Sequence, residues 1–278
     1  MPDGWQNLRR LNPDMVGHRS ITVTFISQKT GQFTYFSLQL SQRDWSNKDV
    51  LDFGGNVGNI LRDPDSTIDE GRYWCVDVSN EAINAGRASY PNAHWHSYNR
   101  YCFFFNPTGI PHLKLPVLNQ RFDYIVAYSV FTNCSHADMI DLVAQLIGLL
   151  KANGKLAFTF IDPHFHSWPE RYQGNNFDWR LERIKSQNAQ VDIRELAKAA
   201  TMAKWFILVN DDDLYIENEH IKAYVPEQQK SHYVFYTVEY MRSLFPAATI
   251  FSPVNDEMQH CCILTAPGDA TTRRRLVL

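Results

Sequence analysis

From residue 48 onward, short apolar runs alternate with amphipathic stretches, the pattern of a parallel sheet covered by helices on both faces. DVLDF (49–53) reads as a buried strand broken by GGNVG, and RYWCVDV (72–78) and AHWHSY (93–98) read as the second and third strands. RFDYIVAYSV (121–130) is the fourth, with a Val/Ile/Tyr-rich middle suited to burial on both faces. Ser79 is placed to cap the helix after the second strand, with Glu81 in its first turn. After the fourth strand, Ser135-x-x-Asp138 has the form of a capping box, and Ile140, Val143, Ala144 and Ile147 recur at helical spacing. Asn153-Gly154 is expected to end that helix in a left-handed cap before a fifth strand, KLAFTFI (155–161).

The flanks read differently. ITVTFIS and QFTYFSLQL, separated by QKTG, alternate as a hairpin would, with a helical lid as the alternative. After Asp162-Pro163 the regular alternation stops. Residues 163–232 carry Trp168, Tyr172, Phe177 and Trp179, a helix-like stretch around 179–203, and WFILV-NDDD-LYIE, a hairpin or a strand and loop. A segment of that length is not expected to be structureless in a compact protein, so an inserted cap subdomain is predicted. TVEYMRSLF then reads as a short helix capped by Thr237, and ATIFS and HCCILTA as two strands around a Pro-Val-Asn-Asp turn. The expected organisation is an N-terminal segment or lid (1–46), a core (47–162), the cap (163–232), the completion of the core sheet (233–266) and a tail (267–278).

Composition narrows the function classes. A chain of 278 residues suits one catalytic unit, and 44% apolar with 21% charged residues is the balance of a globular protein with a sizeable core. The net charge of -3, with both signs interspersed, argues against a nucleic-acid partner; Arg273, Arg274 and Arg275 read as a solvated tail. No run approaches the ~20 apolar residues of a membrane span, and MPDGWQNLRR lacks a signal-peptide apolar region, so a cytoplasmic location is expected. The five cysteines show no C-x-x-C spacing and read as buried free thiols.

The chemistry is carried by VLDFGGNVGNIL. A strand ending in an acidic residue, then a glycine-rich turn into a helix, holds a nucleotide-like ligand at the carboxyl edge of a sheet, because glycines let the backbone approach closely. Asp52, Gly54, Gly55, Asn56 and Gly58 form this turn. Asp77, ending the second strand, would sit beside it and accept hydrogen bonds from two ribose hydroxyls. The spacing G-G-x-x-G, with an Asp two residues ahead, departs from the G-x-G-x-x-G of dinucleotide-binding oxidoreductases.

On these residues the chain resembles the class I S-adenosylmethionine-dependent methyltransferases. Val50, Leu51, Asp52, Gly54 and Gly58 match their first motif, V-L-D-x-G-x-G-x-G, with Asn56 in place of the middle glycine. YWCVDVS is similar to their second strand, FDYIVAYSVFTNCS to the fourth and its outlet, and LIGLLKANGKLAFTFID to the helix, glycine turn and fifth strand; together these cover residues 48–162. The resemblance implies a Rossmann-like, doubly wound α/β fold with a mostly parallel seven-stranded sheet, the last strand antiparallel. It also implies S-adenosyl-L-methionine as cofactor. Asp77 and the adjacent Val78 would flank the ribose, Asn99 and Arg100 the adenine, and Tyr128 and Ser129 the methionine part.

Methyl transfer requires a positioned nucleophile and often a base. His164 and His166 after the fifth strand, and His136 after the fourth, are the candidates at the carboxyl edge. DPHFH (162–166) has metal-ligand composition, but no further ligand stands at a compatible spacing, so no metal is expected. The expected substrate is a small molecule, with aromatic or apolar character suggested by the 13% aromatic content, and the reading allows a homodimer. The alternatives are a methyltransferase-like protein that binds without catalysis, kept open by Asn56, and methylation of RNA or protein, disfavoured by the charge balance.

Overall fold

Seven strands form the central sheet in the order β3-β2-β1-β4-β5-β10-β9. They are β1 (Val50–Phe53), β2 (Tyr73–Asp77), β3 (His94–Ser97), β4 (Phe122–Ala127), β5 (Leu150–Phe160), β9 (Thr249–Phe251) and β10 (His260–Thr265). The first five run parallel, and β10 is antiparallel to both β5 and β9. The computed structural model describes residues 31–102, 105–134, 136–162, 236–253 and 259–268, and the backbone of 205–208, 214–218 and 221–222. That backbone forms a separate antiparallel sheet of β6 (Trp205–Leu208), β7 (Leu214–Asn218) and β8 (Ile221–Lys222), so WFIL and LYIE pair as a hairpin. The helix-like stretch at 179–203, ITVTFIS and the arginine tail lie outside the described residues.

The parity of each strand sorts its side chains onto two faces. Leu51, Phe53, Val76, Ile125, Ala127, Leu156, Phe158 and Cys262 pack in one cluster with the helix α3 (His136–Gly148) and Met241 of α4 (Val238–Leu244). Val50, Tyr73, Cys75, Val126, Ala157 and Cys261 pack in the other with α1 (Gln32–Gln39) and Ile83 of α2 (Asn80–Ser89). The described cysteines are free thiols, and Cys75, Cys261 and Cys262 are buried.

Three local expectations are corrected. QFTYFSLQ is a helix, not the second arm of a hairpin: Thr34 and Leu38, four apart, form one exposed stripe, while Phe33, Tyr35, Phe36 and Leu40 are buried. An alternating run of that kind fits either period, and packing of Tyr35 and Phe36 edge-on against Tyr128 of the β4 outlet selects the helical one. The glycine turn does not enter a helix; residues 54–67 remain turns, because Pro64 disfavours helical backbone at Asp63 and leaves too short a stretch after Gly58. The helix after β4 ends at Gly148, five residues before Asn153, since Leu150 already pairs with Phe122 and residues 151–154 form a bulge before Lys155 pairs with Tyr124. Asn153 is left-handed there (φ 60°), and Lys151 Nζ pairs with Asp49 (2.5 Å) and Asp123 (2.6 Å).

Helix α3 is also rotated from the predicted stripe. Met139, Leu142, Val143 and Leu146 are its buried residues, with Ile140 and Ile147 only partly buried. Charge fixes that rotation. Asp138 and Asp141, one turn apart, both pair with the buried Arg100, and Asp141 also takes Lys114 Nζ at 2.5 Å.

Of the predicted N-caps, those of Ser79 and Thr237 form, and Ser135 lies outside the described residues. Ser79 Oγ accepts from Ala82 N at 3.2 Å, and Thr237 Oγ1 from Tyr240 N at 3.0 Å. Within α2, Gly86 is set by packing: a Cβ there would lie 2.3 Å from two atoms of the Trp95 indole. Alanine ordinarily stabilises a helix interior by about 1 kcal/mol over glycine. Here Gly86→Ala is expected to lower stability by about 1–3 kcal/mol through overpacking, read from the midpoint of denaturant unfolding. A midpoint at or above the wild type's would contradict it.

Candidate active site

At the carboxyl edge, β1 runs into a turn whose backbone is left-handed at Gly54 (φ 74°), Asn56 (φ 54°) and Gly58 (φ 82°). Neighbours press on this turn from the sheet side. A Cβ on Gly54 would meet Val130 Cγ2 at 2.4 Å, one on Gly55 would meet Asp52 Oδ2 at 2.4 Å, and one on Gly58 would meet the Trp95 ring at 2.9 Å. Asn56, where the motif has glycine, keeps the left-handed backbone, and its own Oδ1 accepts from Val57 N at 2.9 Å.

The two acids of the motif stand in different surroundings. Asp52 lies beneath the turn, 2% exposed, and accepts from the Tyr73 hydroxyl at 2.8 Å. Burial pushes its carboxyl up to about 7; the Tyr73 hydrogen bond opposes the rise and the nearby Asp77 charge adds to it. Asp77 ends β2 at the rim, 8% exposed, and receives Asn56 N on Oδ2 and Ser79 N on Oδ1, both at 2.8 Å. Burial raises its pKa too, against the pull of the Ser79, Asn56 and Val78 N–H groups.

The shift of Asp52 carries a stability prediction. Its carboxyl titrates near 4 in an unfolded chain. Folded protein therefore binds more protons between pH about 4 and about 7, and the contribution of Asp52 falls as pH rises through that window. Asp52→Asn should match the wild type at about pH 4 and gain on it steadily up to about pH 7. Urea unfolding of both proteins from pH 4 to 8 measures the difference, and a gap independent of pH would sink the assignment.

Other predicted residues divide. Asn99 is exposed at the outlet of β3, and its Oδ1 accepts from Asn106 Nδ2 at 3.1 Å. The Arg100 guanidinium is turned inward, donating to Leu113 O at 2.8 Å and pairing with Asp138 and Asp141, so its charge is committed to α3. Val78 packs partly buried against the α3-side cluster. Tyr128 stands between β4 and α1, and Ser129 has left-handed backbone (φ 59°) with its N–H donated to Thr159 Oγ1 at 2.7 Å.

Of the three candidate histidines, only His136 is described. It opens α3, and its Nε2 lies 2.6 Å from the Tyr240 hydroxyl of α4. Asp162 is buried and accepts from Val238 N at 3.0 Å, bracing the start of α4, whereas His164 and His166 lie outside the described residues. Sequence reading missed Tyr240, Tyr35, Thr159 and Gln259. Tyr35 and Tyr240 lie on helices, Thr159 on β5 and Gln259 just before β10, and only the fold brings them to this edge.

A doubly wound sheet with a glycine turn and a terminal acid at its carboxyl edge defines a nucleotide-type binding domain. Residues 51–156 match the family model described as a methyltransferase domain. Comparison with curated proteins gives no match. Among solved structures, the glycopeptide N-methyltransferase MtfA, complexed with S-adenosyl-L-homocysteine, is 10% identical, with a TM-score of 0.45 over 86% of this chain and 91% of that one. DesVI of Streptomyces venezuelae is 11% identical (TM-score 0.45, 85% and 91%). CalS10, an amino pentose methyltransferase from Micromonospora echinaspora, is 12% identical (TM-score 0.43, 84% and 87%).

Proposed function

We propose that the protein transfers the methyl group of S-adenosylmethionine to a small-molecule acceptor. The observation that carries this reading is the placement of Asp77 at the rim of the glycine turn. Each of its oxygens takes one backbone N–H, and a carboxylate accepts about four hydrogen bonds in all, so lone pairs remain for two ribose hydroxyls. These donors and acceptors fit the nucleoside, and the left-handed positions at 54, 56 and 58 bring the backbone to the same edge.

Bound there, the cofactor supplies an electrophilic methyl carbon on a sulfonium. The chain's own part is to hold the nucleoside with Asp77, the turn and Asn99, and to border the methionine end with Tyr128 and Ser129. His136 takes the acceptor's proton, oriented by Tyr240, with His164 and His166 as the alternative bases. Residues 163–232 act as a cap that selects the acceptor. The small-molecule class is supported by the interspersed charges and net charge of -3, which offer no stripe for a polymer backbone, and by relatives of the kind named above.

The test has two steps. Calorimetry with S-adenosylhomocysteine should show binding to the full chain at one site. Incubation with methyl-labelled cofactor and a fractionated metabolite extract should then place the label on a small molecule. Label on protein or RNA would overturn the acceptor class, and binding without any transfer would favour the non-catalytic reading.

A further inference from the structure

The left-handed residue at the β4 outlet is held by a closed ring of hydrogen bonds. Ser129 N donates to Thr159 Oγ1 (2.7 Å), Thr159 Oγ1 donates to Gln259 Oε1, and Gln259 Nε2 donates back to Ser129 Oγ (3.2 Å). The Ser129 carbonyl is fixed as well, receiving Thr132 Oγ1 at 3.0 Å and Asn133 Nδ2 at 2.8 Å. From the other side, the Tyr35 hydroxyl of α1 donates to the Gln259 carbonyl at 3.3 Å. Thr159 and Gln259 are buried.

Serine rarely adopts φ near 60°, and such a residue persists only where its surroundings over-determine it. The Gln259 amide closes this ring because it offers an acceptor to Thr159 and a donor to Ser129 on one planar group. We propose that Gln259 is a positioning residue for the cofactor: it holds Ser129 in the left-handed conformation that shapes the methionine end of the site, and through Tyr35 it makes helix α1 part of that support. The proposal rests on the cofactor reading above, in which Tyr128 and Ser129 border the methionine part.

The test uses the full chain, with S-adenosylhomocysteine as the calorimetric probe. Gln259→Met keeps the length of the side chain and loses both hydrogen bonds. Once the ring is open the binding-competent conformer is only partly populated, so affinity should fall by about tenfold. Glycine adopts positive φ without support, so adding Ser129→Gly to Gln259→Met should restore affinity to within about threefold of the wild type. A purely structural role for Gln259 would not give that rescue.

Affinity of Gln259→Met within about twofold of the wild type overturns the proposal, as does a double variant no tighter than the single one. Should Gln259→Met fail to fold, Thr159→Val opens the same ring isosterically, and the same loss and the same rescue by Ser129→Gly are required of it. A wild-type chain that takes up no probe overturns the cofactor reading and this proposal together. That result differs from selective loss in the variants.

Discussion

Replacing His136 by alanine is expected to lower turnover by about 10²- to 10⁴-fold while affinity for S-adenosylhomocysteine stays at the wild-type value, the span of a lost general base. His136 follows the β4 outlet at the carboxyl edge, and its 2.6 Å contact with the Tyr240 hydroxyl fixes the imidazole ring. A neutral imidazole can take a proton at physiological pH. Truncation removes the proton acceptor without touching the turn, Asp77 or the Ser129 ring, which is why cofactor affinity should not move. Single-turnover rates with the acceptor identified by labelling provide the measurement, with His164→Ala and His166→Ala run beside it. Near-normal rates for His136→Ala and a large loss in either of the others would move the base to His164 or His166. Near-normal rates in all three would leave proximity, or a phenol or carboxylate, to do the work.

Loss of the Asp77 carboxylate should have the largest effect on cofactor binding. Charge-assisted hydrogen bonds contribute about 1.5–3 kcal/mol each, so Asp77→Ala should weaken S-adenosylhomocysteine binding by at least about tenfold. The same change leaves the Asn56 and Ser79 N–H groups without their acceptor, so the turn itself loosens and the melting temperature should fall. Calorimetry on folded variant protein separates the two effects. An affinity equal to the wild type's would remove Asp77 from the site whatever the melting temperature does.

Much of this arrangement is readable in the linear chain. β1, β2 and β4 fall where short apolar runs predict them, because a strand buried on both faces is nearly continuously apolar and ends at a turn signal, whereas the edge strand β3 is partly exposed and β5 begins at Leu150, five residues before its predicted start. Gly54, Asn56 and Gly58 are legible for a related reason, since left-handed backbone favours Gly or Asn, and Asp52 and Asp77 stand out as acids at or near the ends of apolar strands. Ser79 and Thr237 cap helices through bonds only three residues long, so local sequence suffices for them.

Where two local solutions were nearly equal, long-range contacts decided. QFTYFSLQ fits strand and helix alike until Tyr128 and the Tyr35 bond to Gln259 give the helix its face. The rotation of α3 depends on Arg100, 38 residues from Asp138 in sequence, and a helical wheel cannot see that pair. Arg100 itself illustrates the limit: its place in the chain suggests adenine, yet burial of a guanidinium requires carboxylate partners, and α3 supplies them. The Ser129 ring spans 130 residues between Ser129 and Gln259. Sequence by itself determined the order of the core strands and the glycine turn, because those rest on periodicity and backbone sterics within a few residues. Which polar side chains face one another across the carboxyl edge was decided only by the tertiary structure, because a buried donor is satisfied by whatever acceptor the fold brings near, at any distance along the chain.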